Sequence, residues 1–244
     1  MLTAVIADIH SNLEALEAVL GRISELDIDE IVCLGDIVGY NADPNECVSM
    51  VRDRNITSVM GNHDACASGL EEPVSFNAAA WKAVLWTREV LTSENRSFLA
   101  HLPRERAVRG FYLFHGSIHE TNRYIMSKRD AMDNFRMLEV VSGERRVGFF
   151  GHTHMKIAIC KKGETLSSPD SRELLLSKES RYLVNPGSVG QPRDEDPRAA
   201  FLVYDSVEHK ITFYRVKYDI RKCQDKIIRA RLPIWLADRL AWGQ

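Results

Sequence analysis

Five short stretches of the 244-residue chain place metal-binding side-chain types directly after apolar runs, mostly beside a glycine. They are Asp8-Ile9-His10, Gly35-Asp36, Gly61-Asn62-His63-Asp64, His115-Gly116 and Gly151-His152-Thr153-His154. Five of the chain's eight histidines fall in these places, with Asp8, Asp36 and Asn62 beside them. Imidazole, carboxylate and amide oxygen are the donors of Zn²⁺, Fe, Mn²⁺ or Ni²⁺ sites, and no thiolate joins them. Taken singly, each stretch has an ordinary explanation. Asp-x-His is a common turn or helix cap, Gly-Asp is turn chemistry after a strand, and His-x-His can be two residues on one strand face. Five such coincidences in one chain make a metal site the better reading.

The elements that must position these residues alternate. "LTAVIAD" reads as a buried strand, and Ser11 with Glu14 reads as a capping box opening a helix in which Leu13, Leu16, Val19, Leu20 and Ile23 recur. "EIVCLGD" is a second strand, "PNECVSMVRDRN" a helix opened by Pro44, and "ITSVMGNHD" a third strand. Such alternation predicts an α/β fold with parallel neighbours, whose ligand site lies beyond the carboxyl ends of the strands. Residues 66–104 read as a short helical insertion, broken near Thr92. "FYLFHG" and "RVGFFGHTH" resume the strands, with a helix over "RDAMDNFRMLEVVS" between them, and the segments from "KIAICKK" to "KITFYRV" are mostly β. Two helices close the chain. The whole of 1–244 is expected to be one domain, with "KKGETLSSPDSRE" a surface loop or hairpin connection.

Composition limits the function classes. A hydrophobic share of 45% and a charged share of 27% are ordinary for a soluble globular protein. With 32 basic against 34 acidic residues, no general affinity for nucleic acid is expected. The five cysteines are scattered without CxxC spacing, and no apolar run reaches the length of a membrane span, so a cytoplasmic protein is expected. A homo-oligomer is compatible with this composition.

The ordered series Asp-x-His, Gly-Asp, Gly-Asn-His-Asp, His, Gly-His-x-His resembles that of the calcineurin-like metallophosphoesterases, and the resemblance covers essentially the whole chain. "GDIVGYNADPNE", "FNAAAWKAVLWTRE" and "NPGSVGQPRDEDPRAA" look most like compact bacterial and archaeal members of the phosphodiesterase or diadenosine-tetraphosphatase type. The resemblance implies a four-layer α-β-β-α sandwich. It assigns Asp8, His10, Asp36 and His154 to a first metal and Asp36, Asn62, His115 and His152 to a second, with Asp36 bridging. The ions would be two divalent or trivalent transition metals, among them manganese, iron, zinc and nickel. His63 would be the catalytic non-ligand histidine, and a metal-activated hydroxide would attack small phosphodiesters or nucleotides. The phosphoprotein-phosphatase branch orients this histidine with an aspartate where Gly39 stands here, which argues against a protein phosphatase. Arg193, in the loop after a late strand, is placed to bind a phosphate, and Tyr40 and Asn41 to line the pocket mouth. A nuclease or a non-catalytic protein-binding module of the same fold are the alternatives. The compact, slightly acidic chain counts against the first and the intact ligand series against the second.

Overall fold

The computed structural model describes all 244 residues. The chain runs β1 (Leu2–Ile6), α1 (Leu13–Ser24), β2 (Glu30–Cys33), α2 (Pro44–Asp53), β3 (Thr57–Ser58) and α3 (Asn62–Ser68). Helices α4 (Ala78–Val90) and α5 (Ser93–Ala100) follow, then β4 (Glu105–Val108), β5 (Phe111–Phe114), α6 (Lys128–Val141) and β6 (Val147–Phe149). The rest is β7 (Lys156–Lys162), β8 (Thr165–Ser167), β9 (Glu173–Leu175), β10 (Arg181–Pro186), β11 (Ala199–Asp205) and β12 (Lys210–Val216), closed by α7 (Ile220–Arg229) and α8 (Ile234–Asp238).

Two six-stranded sheets form, ordered β3-β2-β1-β11-β12-β9 and β4-β5-β6-β10-β7-β8. The strands that carry the motifs, β1, β2 and β3 in one sheet and β5, β6 and β10 in the other, are parallel neighbours, and the later strands pair antiparallel. The sheets stack face to face through Val5, Val32, Leu34 and Leu202 on one side and Phe111, Leu113, Phe149 and Val184 on the other. Alternate residues of β1, Ala4 and Ile6, point away into a second core with Leu16, Val19, Val48 and Val51 of α1 and α2. On the far side, Phe114, Phe150 and Leu183 pack with Phe135 and Leu138 of α6. Both faces of each sheet are therefore covered, which is why the strands read as continuous apolar runs rather than alternating ones. This is the α-β-β-α sandwich the motif series implied.

Local details differ from the sequence expectations at three places. Helix α1 is capped by Asn12, whose side chain accepts from the Ala15 amide at 3.1 Å, while Ser11 sits at φ 56° and its hydroxyl accepts from Gly39 instead. The third strand is only two residues long. Its expected continuation becomes a loop, and Asn62 and His63 lie in the first turn of α3. The edge strand β4, Glu-Arg-Ala-Val, carries too little apolar content to signal a strand in the sequence. The insertion's helices α4 and α5 do form, with the break capped by the Thr92 hydroxyl, and Val84, Leu91 and Leu99 join the α1–α2 core. No helix is long and apolar enough to cross a membrane.

Glu14 does not reach back to its own helix start. Its carboxylate takes Lys226 at 2.6 Å and Lys222 at 3.1 Å, and Lys226 also meets Asp43 at 2.7 Å, so α7 is tied to the starts of α1 and α2. Burial alone would raise the Glu14 pKa, but the two ammonium groups outweigh it and hold it below its usual 4.5. A depressed folded pKa contributes stability that is complete above the unfolded value and lost as pH falls through the folded one. Glu14→Gln is therefore expected to melt earlier than the wild type at pH 7. The gap in melting temperature should close progressively below about pH 4.5, and a gap independent of pH would count against the ion pairs.

Candidate metal centre

The five motif stretches converge at the carboxyl ends of β1, β2, β5 and β6 and at the start of α3. Three groups of ligand atoms lie within 4.8 Å of one another: Asp8 with His10 and His154, Asp36 with His115 and His152, and His10 with Asp36 and His63. All are buried. In the first group His10 Nε2 is 3.0 Å from His154 Nε2, and Asp8 Oδ1 is 3.9 and 3.6 Å from the two. Asp36 Oδ2 stands between the groups, 3.5 Å from His10 Nε2 and 3.2 Å from His115 Nε2. Asn62 Oδ1 lies 3.1 Å from His115 Nε2. All seven residues expected as ligands are thus brought together.

The tautomers favour a cation. His10 Nδ1 donates to the Val38 carbonyl at 3.0 Å, His115 Nδ1 to Leu34 at 2.8 Å and His154 Nδ1 to Gln191 at 2.6 Å. With the proton on Nδ1, the neutral rings of His10 and His154 turn their Nε2 lone pairs inward. The facing Nε2 atoms of His10 and His154 then have no hydrogen between them, and His152 Nε2 is buried without any partner. Such an arrangement is repulsive as it stands and becomes favourable around a positive ion.

Electrostatics agree. Burial pushes Asp8 up to about 7, against the opposing pull of His115, and pushes His10 and His154 well down. Burial also opposes ionisation of Asp36, yet His115, His63 and His10 together hold its carboxyl well below the usual carboxylate range. His115 is raised to about 9 because the attraction of Asp36 overcomes burial. The proton His115 gains stands where a cation would, and a metal ion would displace it. The clustered nitrogen and oxygen donors fit metal-ion binding.

Local backbone strain supports the same conclusion. Asp8, His10, Asp36, His152 and His154 all have φ between 49° and 66°. For non-glycine residues this left-handed region costs about 1–2 kcal/mol each. Such strain persists only where surrounding contacts over-determine it, characteristically at functional sites. Here the contacts are visible: the His152 amide donates to Asp8 at 3.1 Å, the His63 amide to Asp36 Oδ1 at 2.8 Å, and Ser188 Oγ to the Asp8 carbonyl at 2.8 Å. Gly151 permits the approach of β6 to β1, since a methyl group there would lie 3.0 Å from Asp8 Oδ2.

Above the cluster opens a cavity of about 140 Å³ lined by Asp36, Asn62, His63, His152 and His154 together with Tyr40 and Arg193. Arg193 donates from Nη2 to Tyr40 Oη at 3.2 Å and to Gln191 Oε1 at 2.9 Å, while its Nε has no partner. Asn41 does not line the cavity; it is buried and its amide donates to the His10 carbonyl at 2.7 Å. Residues unforeseen from sequence complete the mouth. Phe76 comes from the segment before α4, and Tyr124, 45% exposed, stacks on His152 with ring centres 4.1 Å apart. The loop "NPGSVGQ" also does more than turn. Asn185 donates to the Gly151 carbonyl at 2.6 Å, and Gln191 supplies the acceptor for His154. Its polar residues after a strand were the available signal.

Comparison with known proteins follows the same lines. Residues 1–208 match the family model described as the calcineurin-like phosphoesterase superfamily domain, so that α7 and α8 lie outside the match. A Methanocaldococcus jannaschii protein, named uncharacterized protein MJ0912, is 41% identical over 246 residues, covering 99% of this chain and 98% of that one. The crystal structure of a metallophosphoesterase from Sphaerobacter thermophilus superposes with a TM-score of 0.86 at 37% identity, each chain covered completely. The hypothetical protein PH1004 from Pyrococcus horikoshii OT3 shares the fold, with a TM-score of 0.82 at 21% identity over 100% of this chain and 98% of its own.

Proposed function

Because the chain belongs to the calcineurin-like phosphoesterase superfamily, we propose that it is a dinuclear metal-dependent phosphoesterase acting on small phosphodiesters or nucleotides. In this reading Asp8, His10, Asp36 and His154 hold one ion, and Asp36, Asn62, His115 and His152 hold the other. The observation that carries it is the convergence of the inward-facing Nε2 atoms of His10, His115 and His154 beside the Asp36 carboxylate. When bound, such ions contribute Lewis acidity toward the phosphoryl group and lower the pKa of water.

The chain's own residues do the rest. Neutral imidazoles complete the donor set without cancelling the positive potential that a phosphate must meet. Arg193 is held by Tyr40 and Gln191 and makes no ion pair, so the guanidinium can take a phosphoryl oxygen without first breaking one. His63, with burial lowering it to about 4, is neutral near pH 7 and is placed to donate a hydrogen bond to the phosphoryl or leaving oxygen. The cavity of about 140 Å³ has room for a phosphoryl group beside Arg193 and His63. The site is proposed to work in the cytoplasm as part of one domain, 1–244.

The test is hydrolysis of bis-p-nitrophenyl phosphate and a nucleotide panel by protein loaded with Mn²⁺, Fe²⁺, Zn²⁺ or Ni²⁺. Activity should vanish with a strong chelator and return on adding metal, with close to two ions bound per chain. Hydrolysis that survives complete metal removal would sink the reading, as would inactivity of the metal-loaded protein across the panel.

A further inference from the structure

The five histidines of the centre are not held alike. His10, His115 and His154 each lean on a backbone carbonyl through Nδ1. His63 does not: its Nδ1 is buried and has no partner. No acidic side chain supplies one. The carboxylate of Asp64 is engaged by the amides of Gly61 at 3.0 Å and Val38 at 3.2 Å. At Gly39 the backbone itself closes on the ring, because a methyl group there would lie 2.4 Å from His63 Nδ1, and the residue adopts φ 103°. A side chain of any kind at that position would displace the imidazole.

The backbone of His63 is well fixed by its amide bond to Asp36. The ring is another matter, since the last torsion of histidine is broad and roughly two-fold, and an unbonded imidazole selects no single orientation by itself. What does surround it is aromatic. The Phe76 ring lies 4.4 Å away centre to centre, Tyr40 4.5 Å and His10 4.8 Å. Phe76 is itself anchored, half-buried between the α1–α2 core and the cluster that packs Tyr40 against α4, α7 and α8.

We infer that Phe76 is a positioning residue for His63: its ring, with Tyr40 and the close backbone of Gly39, sets the imidazole plane by packing, with no carboxylate bonded to the ring. A buried Nδ1–H without an acceptor would be an orphan donor, so the packing also leaves the proton on Nε2. That is the nitrogen left for the cavity, which His63 lines. The consequence is that the segment before α4 belongs to the working site, although it carries none of the metal-binding motifs. The catalytic part of this inference rests on the phosphoesterase reading above; the packing part does not.

The test compares wild type with Phe76→Ala, Phe76→Leu, Phe76→Tyr, His63→Ala and the His63→Ala/Phe76→Ala double variant. Melting temperature and bound metal are measured beside kinetics on bis-p-nitrophenyl phosphate. Phe76→Ala should lower kcat by about 10-fold or more, the scale of a misplaced catalytic group, while KM stays within about threefold. Phe76→Leu keeps most of the buried volume and guards against loss of fold, and it should share the kcat defect. Phe76→Tyr should restore kcat. On the His63→Ala background, Phe76→Ala should change nothing further, because its effect passes through that ring. Independently of turnover, ¹⁵N-histidine spectra of metal-free protein should show a single sharp His63 tautomer in the wild type and a broadened or mixed one in Phe76→Ala. Wild-type kcat in Phe76→Ala would overturn the assignment, as would an equal loss on both backgrounds or an unchanged His63 ring signal. If the wild type hydrolyses no phosphoester, the functional reading fails and the ring spectra alone decide the positioning role.

Discussion

Asp36→Asn is expected to lower phosphodiester turnover by about 10³-fold, a loss comparable to removing a principal electrostatic stabiliser of a transition state. The reason lies in its double position. Oδ2 is near both His10 Nε2 and His115 Nε2, so a single carboxylate serves both candidate ion positions. With two ions bound as proposed, the amide would remove the negative charge that offsets their repulsion and present either an N–H donor or a weaker oxygen to them. The fold should survive, since the amide oxygen can still accept from the His63 backbone at the Oδ1 position. Metal content by mass spectrometry should fall from near two ions per chain toward one or fewer. Unchanged turnover with unchanged metal content would remove Asp36 from the shared position.

His63→Ala is expected to cost about 10²-fold or more in kcat, the usual scale for a positioned proton or hydrogen-bond donor. Its distinguishing feature is what should not change. His63 stands close enough to His10 and Asp36 to form a third ligand group with them, so geometry alone allows it to be a ligand. If it acts on the substrate, kcat and kcat/KM fall together while two metal ions remain bound. If metal content drops with activity, His63 is a ligand and the catalytic assignment is wrong. Measuring both quantities on one preparation separates the two roles.

The parallel strands β1 and β2, the helices α1 and α2 that follow them and the ligand series were legible because each is a local pattern. Apolar runs, a proline at the first turn of α2 and polar residues after glycines all act within a few positions. Where a short-range rule has a competitor, tertiary contacts decide. Ser11 and Asn12 are both good caps, and Asn12 takes the role because Ser11 is drawn into the left-handed region to bond Gly39. The stretch after Ile56 looks like a strand, yet β3 ends after two residues as the chain turns into α3 to bring Asn62 and His63 to the centre.

By itself the sequence determined the chemistry: which donors exist, that nitrogen and oxygen dominate, and in what order they appear along strands that share one edge. The converging geometry, with Asp36 between two groups and His152 and His154 in different ones, depends on how two sheets stack, and contacts such as Asp8 to His152 span 144 positions. The same holds for the surroundings of His63. Nothing in the spacing of Gly39, Tyr40 and Phe76 says that they share one imidazole. Donor identity is a property of the residue; proximity and orientation belong to packing, which only the folded chain decides.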